Sequence, residues 1–115
     1  MSDDDAVYVG HMLDAARKAR SLVGARDRAA YDNDETLRLA LAHLVQTIGE
    51  AARRVSRELL ESQPHIPWSE IMGMRHKIAH DYMDLEEDVL WSVVTTDLPG
   101  LIQDLERFLL MDGGE

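Results

Sequence analysis

Cysteine is absent from this 115-residue chain, so neither a disulfide nor a thiolate metal site can form. A reducing compartment fits that absence. Aromatic residues make up only 5%, and there are three prolines. β-branched residues are few and alternating apolar patterns are missing, which argues against a sheet. No apolar run approaches the roughly 20 residues of a membrane span. The acidic opening MSDDDAVY does not read as a signal peptide. The expectation is a soluble, cytoplasmic protein with no membrane partner. Repeats, low-complexity tracts and long linkers are also lacking, so residues 1–115 are expected to form a single domain.

Apolar residues reach 45%, enough for one modest core. Net charge is −10 and unevenly spread: residues 81–115 carry ten acids against one base, Arg107. A field this acidic repels nucleic acid, so an RNA or nucleotide partner would have to use a local basic patch. Arg53, Arg54 and Arg57, read as one ridge on a long second helix, are candidates, as is Lys77. The competing reading is a solvated helix face.

Helical spacing runs throughout. A first helix is expected from about Asp4 to Leu22, with Tyr8, Met12, Ala15, Ala16, Ala19 and Val23 on its apolar side. Gly24 terminates it, and GARDRAAYDND breaks the pattern. A second helix is expected to start at Asn33 or Asp34, either able to cap it, and to run unbroken until just before Pro64. Pro67 suits the first turn of a third helix, in which Trp68, Ile71, Met72, Ile78, Ala79 and Tyr82 share a face. Glu86, Glu87 and Asp88 suit the N-terminus of a fourth. Pro99 is expected to break or kink the chain near Leu98, before a last segment containing Leu101, Ile102, Leu105, Phe108 and Leu109. The fold class is therefore an antiparallel all-α bundle of four to five helices.

The third helix carries MRHKIAHDY, residues 74–82, where most of the chemical potential lies. Arg75 and Tyr82 are seven and fourteen residues after Trp68, so at roughly 100° per residue both return to its face. A guanidinium in an apolar stripe must reach an acid, extend to water or line a cleft. Glu50 of the second helix is a candidate partner for Arg75. His76 and His80, four apart, point together along the flank, beside Gly73, which leaves an open shelf or is merely tolerated there. Their spacing also suits metal ligands, but no third ligand is evident, and no metal is expected. RNA cleavage by its own 2′-hydroxyl fits these residue types better. It needs a base, an acid and positive charge on the phosphoryl oxygens. Histidine takes either proton role and arginine holds phosphate with paired hydrogen bonds. One chain supplies His80 once; a two-fold dimer would supply it twice.

Arg75, His80 and Tyr82 form an R-x4-H-x-Y pattern. Together with HLVQTIGEAARRVS (His43–Ser56), PWSEIMGMRHKIAHDY (Pro67–Tyr82) and DVLWSVVTTDLPGL (Asp88–Leu101), it resembles the HepT-like branch of the HEPN superfamily over nearly the whole chain. The resemblance implies a HEPN-like homodimer with its cleft at the dimer interface. It further implies a toxin endoribonuclease of a type VII-like toxin–antitoxin system, acting without metal or other cofactor and leaving 2′,3′-cyclic phosphate. Arg75 and His80 carry over as the catalytic pair. Tyr82 carries over as the residue to which a partner MNT-type nucleotidyltransferase attaches AMP. The chain departs from the family where His76 stands in place of the usual Asn or Asp; a supporting role there orients Arg75 or His80, or adds a proton carrier. Two other readings stand beside this one. One is a non-catalytic HEPN module that binds a nucleotidyltransferase, and the other is a metal-dependent hydrolase using His76 and His80.

Overall fold

The computed structural model describes residues 3–79 and 87–112, with the backbone alone for residues 3, 74–79, 111 and 112. The elements are α1 (Asp3–Val23), a short α2 (Arg28–Asp32), α3 (Glu35–Arg54), α4 (Arg57–Ser62), α5 (Trp68–Ala79), α6 (Glu87–Ser92), a π-helical stretch (Val93–Asp97) and α7 (Leu98–Asp112). The described residues contain no strand, and the architecture is all-α. Helices α1 and α3 form the central pair; α5 packs on α3, and α7 packs on α1. Val9, Met12, Ala16 and Ala19 of α1 are buried against Leu41, Val45, Ile48 and Ala52 of α3. The alanines among them keep side-chain bulk low between the two helices. Leu101, Leu105 and Phe108 of α7 close the core.

Gly24 ends α1 with φ +51°, its N–H donating to the Arg20 carbonyl at 2.9 Å. Glycine reaches that left-handed conformation without the Cβ clash other residues incur. The following GARDRAAYDND stretch is more than a connection. The Asp27 carboxylate accepts from the Ala30 N–H and starts α2, which buries Tyr31 completely.

The second helix starts as expected, with Asp34 accepting from the Leu37 N–H, but it does not run unbroken to Pro64. Val55 turns extended, with ψ 153°, and Ser56 opens a separate helix, α4. The cause lies in α1. The buried Asp5 carboxylate accepts from the Ser56 N–H at 2.8 Å and from its hydroxyl at 2.6 Å, while Ser56 Oγ accepts from the Leu59 N–H at 3.1 Å. Arg57 therefore opens α4 and does not share a helix with Arg53 and Arg54.

Pro99 does not break the last helix. The Leu98 N–H bonds to the Val93 carbonyl, five residues back, and the backbone widens into a π turn. The Val94 carbonyl thereby loses its α-helical donor, Leu98. Its π-helical donor would be residue 99, which as proline has no N–H. Arg20 of α1 fills the gap, donating to the Val94 carbonyl at 3.1 Å.

Candidate functional site

Helix α5 is anchored at its start. Trp68 is buried and its indole N–H donates to the Gln63 carbonyl at 3.0 Å; the Ile71 N–H closes the first turn on the Pro67 carbonyl, and the Ile71 side chain is buried. The next turn holds Gly73. Among the described residues, a Cβ placed there would meet nothing within 4 Å, which is open space beside the helix at that point. Arg75, His76 and Lys77 follow within α5, although their side chains lie outside the described part of the structure. His80 and Tyr82 lie outside the described residues. Glu50 is on α3, the helix against which α5 packs, which is the arrangement its pairing with Arg75 requires.

Beyond the segment 80–86, the chain returns at Glu87 into a polar cluster that the sequence did not reveal. The Tyr31 hydroxyl donates to Glu87 Oε2 at 2.7 Å and lies 3.2 Å from the Glu87 carbonyl oxygen. Arg38 approaches the same Oε2 at 3.4 Å and donates to the Tyr31 carbonyl at 3.0 Å. Arg28 bridges Asp32 at 2.8 Å and Asp88 at 2.6 Å. The rings of Tyr31 and Trp91 lie 5.0 Å apart, so Trp91 is a core contact. Burial, then the bond to Glu87, holds the Tyr31 phenol well above its ordinary pKa, so it stays a proton donor. The only local signal was the run of Arg28, Tyr31 and Asp32, and nothing in it pointed to Glu87.

Arg53 and Arg54 are exposed in the last turn of α3, where positive charge opposes the negative end of the helix dipole. Arg57 is exposed too. None of the three forms an ion pair among the described residues, whereas Arg17, Arg28 and Arg38 each hold an acid.

A separate groove of about 270 Å³ lies where the start of α5 faces the π stretch and α7. It is acidic, lined by Glu70, Asp97 and Asp104, with His65 3.6 Å from Asp104. Desolvation, with the Glu70 charge adding to it, raises the Asp97 carboxyl above the usual carboxylate range. Among the described residues no three His, Asp or Glu are grouped to hold a metal ion; His80 is not among those residues. No described helix is long and apolar enough to cross a membrane.

Residues 12–108 match the family described as ribonuclease HepT-like. The chain belongs to the HepT-like family. A Methanocaldococcus jannaschii protein provisionally named an RNase is 26% identical over 90% of this chain and 94% of its own length. A Caldanaerobacter subterraneus protein, also provisionally named an RNase, is 26% identical over 89% of this chain and 91% of its own. A Thermococcus cleftensis protein provisionally named ribonuclease HepT is 32% identical over 64% of this chain and 67% of its own. No solved structure matches. The HepT-like match begins in α1 and ends in α7, so it takes in the whole of α3, α5 and the R-x4-H-x-Y motif.

Proposed function

We propose that this HepT-like chain is an endoribonuclease whose catalytic pair is Arg75 and His80. The observation that carries the reading is the family match across residues 12–108, which contains the full R-x4-H-x-Y motif. The fold supports it: α5 packs on α3 with Trp68 and Ile71 buried at its start, and Gly73 lies two residues before the motif. The names of the M. jannaschii and T. cleftensis relatives point to the same activity.

In this mechanism a base removes the 2′-hydroxyl proton and the 2′-oxygen attacks phosphorus. The bond to the 5′-oxygen breaks, and that oxygen leaves with a proton from an acid. The products are a 2′,3′-cyclic phosphate and a 5′-hydroxyl. Arg75 places its charge on the phosphoryl oxygens, where negative charge grows in the transition state. His80 serves one proton transfer, and His80 of a second copy across a two-fold axis serves the other. No step requires a metal. Tyr82, two residues from His80, is the proposed site of AMP addition by a partner MNT-type nucleotidyltransferase. A bulky anion there obstructs the cleft and repels RNA phosphate, which fits a toxin held in check by its antitoxin.

His76 supports a second reading, a HEPN dimer that binds its nucleotidyltransferase without cutting RNA, because it replaces the residue type usual beside the arginine. Incubation of the free protein with RNA in EDTA separates the two. The ribonuclease reading expects cleavage with cyclic-phosphate ends. Intact RNA, with a stable nucleotidyltransferase complex, would favour the binding module. Intact mass after co-expression tests the regulation, with one adenylyl adduct expected on Tyr82.

A further inference from the structure

Among the described residues, Arg17, Arg28 and Arg38 hold acids, and Arg20 and Arg26 donate to the Val94 and Leu22 carbonyls. Arg53, Arg54 and Arg57 do neither there, and all three are exposed. Positive charge suits Arg53 and Arg54, which sit at the negative end of the α3 dipole. It does not suit Arg57, the first residue of α4, which sits at the positive end of its own helix. Glu61, four residues further along α4, forms no ion pair with it. The dipole therefore accounts for two of the three and leaves a cation where an anion is favoured.

The junction between them is fixed. Val55 and Ser56 are extended, with ψ 153° and 155°, so each advances the chain by about 3.3 Å instead of the roughly 1.5 Å of a helical residue. Arg57 is carried forward from the line of Arg53 and Arg54. The corner is no slack linker. Asp5, 3% exposed, accepts from the Ser56 N–H at 2.8 Å and from its hydroxyl at 2.6 Å, and Val55 and Leu59 on either side are buried. A ligand that binds there has no backbone to order. Arginine takes phosphate oxygens with paired hydrogen bonds, and three of them in five residues suit an anion whose charge repeats. The chain as a whole carries −10 and repels a polyanion, so a local patch has to hold one. Arg53 and Arg54 are on α3, against which α5 packs, and Arg75 is seven residues, about 10 Å, along α5 from Trp68. The corner and the motif thus belong to one helix pair.

We propose that Arg53, Arg54 and Arg57 form a phosphate-binding corner for a single-stranded flank of the RNA, and that buried Asp5 is the positioning residue that sets its shape. The identity of the ligand rests on the ribonuclease reading. Each arginine that meets a phosphate releases counterions, so the contacts appear in the salt dependence of binding.

The test measures fluorescence anisotropy of a labelled single-stranded 2′-O-methyl oligoribonucleotide, which lacks the attacking hydroxyl and stays intact, across a range of salt concentrations. Relative to the parent, the log–log salt slope is expected to fall by about 2 in the triple Arg53→Gln, Arg54→Gln, Arg57→Gln variant and by about 0.7 in Arg57→Gln alone. Arg17→Gln, which removes a charge already held by Glu106, should keep the parental slope. Asp5→Asn keeps every arginine. By charge alone it would tighten binding; by loosening the corner it should weaken binding, and adding Arg57→Gln should then change the slope little further. Ser56→Ala, which removes the hydroxyl that Asp5 holds, should act in the same direction and stands in for Asp5→Asn if that variant does not fold. A parental slope in the triple variant, an equal drop in Arg17→Gln, or no binding of the strand by the parent at low salt would overturn the corner as an RNA site and leave the arginines to another partner or to solvent. Parental or tighter binding by Asp5→Asn and Ser56→Ala would overturn the role of Asp5. Cleavage of the ordinary RNA of the same sequence by the parent is assayed separately in EDTA. If it fails, the ribonuclease reading fails, and the salt slopes still decide whether the corner binds the strand.

Discussion

Replacing Arg20 by methionine keeps most of the side-chain stem and removes the donor that reaches the Val94 carbonyl at 3.1 Å. The π turn diverts the Leu98 N–H to Val93, and residue 99 offers no N–H, so in this variant the Val94 carbonyl has neither helical partner. Hydrogen bonds from charged donors contribute about 1.5–3 kcal/mol, and Val94 is fully buried, so a loss of about 2 kcal/mol is expected. Pro99→Ala restores an N–H at the position that the π register assigns to Val94. In that background Arg20→Met should cost less than about 1 kcal/mol, a coupling of roughly 1–2 kcal/mol between residues 79 positions apart in the chain. Urea unfolding of the parent, both single variants and the double variant measures all four corners. Strict additivity, within about 0.5 kcal/mol, would refute the reasoning: Arg20 would then not be replacing the donor that proline lacks.

Gly73→Ala should stabilise the folded chain by about 0.5–1 kcal/mol in thermal unfolding, because the added methyl meets open space and a mid-helix glycine is costly. If RNA or a second copy uses the shelf, the same variant should cleave more slowly despite its stability. Replacing Arg53, Arg54 and Arg57 together by glutamine should raise KM for RNA, leave kcat unchanged and reduce the salt slope of binding by about 2, at roughly 0.7 per phosphate contact on a single strand. An unchanged slope would assign the three to a solvated surface. Asp97→Asn should stabilise the protein near neutral pH. A carboxyl with a raised folded-state pKa favours folding when protonated and loses that contribution as pH rises through the folded-state value. The advantage of the variant should therefore vanish below the ordinary carboxylate range, about pH 4, as followed by melting temperature against pH.

The helical spacing made the all-α bundle legible, and with it most of the core. Met12, Ala16 and Ala19 pack where the three- and four-residue steps put them, and Gly24 ends the first helix as its residue type suggests. The second helix misled because its periodicity continues through Val55, which is buried although its backbone is extended. The interruption depends on Asp5, which no local window around Ser56 contains. Pro99 disturbs the helix near Leu98, as its residue type suggests, but does not end it. A proline forbids one hydrogen bond, but a widened turn and a distant arginine absorb the loss. The candidate site was legible as a motif because Arg75, His80 and Tyr82 lie within eight residues of sequence. Its setting was not. Tyr31 and Glu87 are 56 positions apart, and only the packing of α6 on α2 and α3 brings them together.

The central claim is that Arg75 and His80 cleave RNA. It is tested most directly by single-turnover cleavage in EDTA, comparing the parent with Arg75→Ala and His80→Ala, all three confirmed folded by circular dichroism. Each group acts in the transition state, so each variant should be slower by at least about a hundredfold, with RNA binding retained by His80→Ala. Cleavage by both variants at the parental rate would contradict the account and place the activity elsewhere.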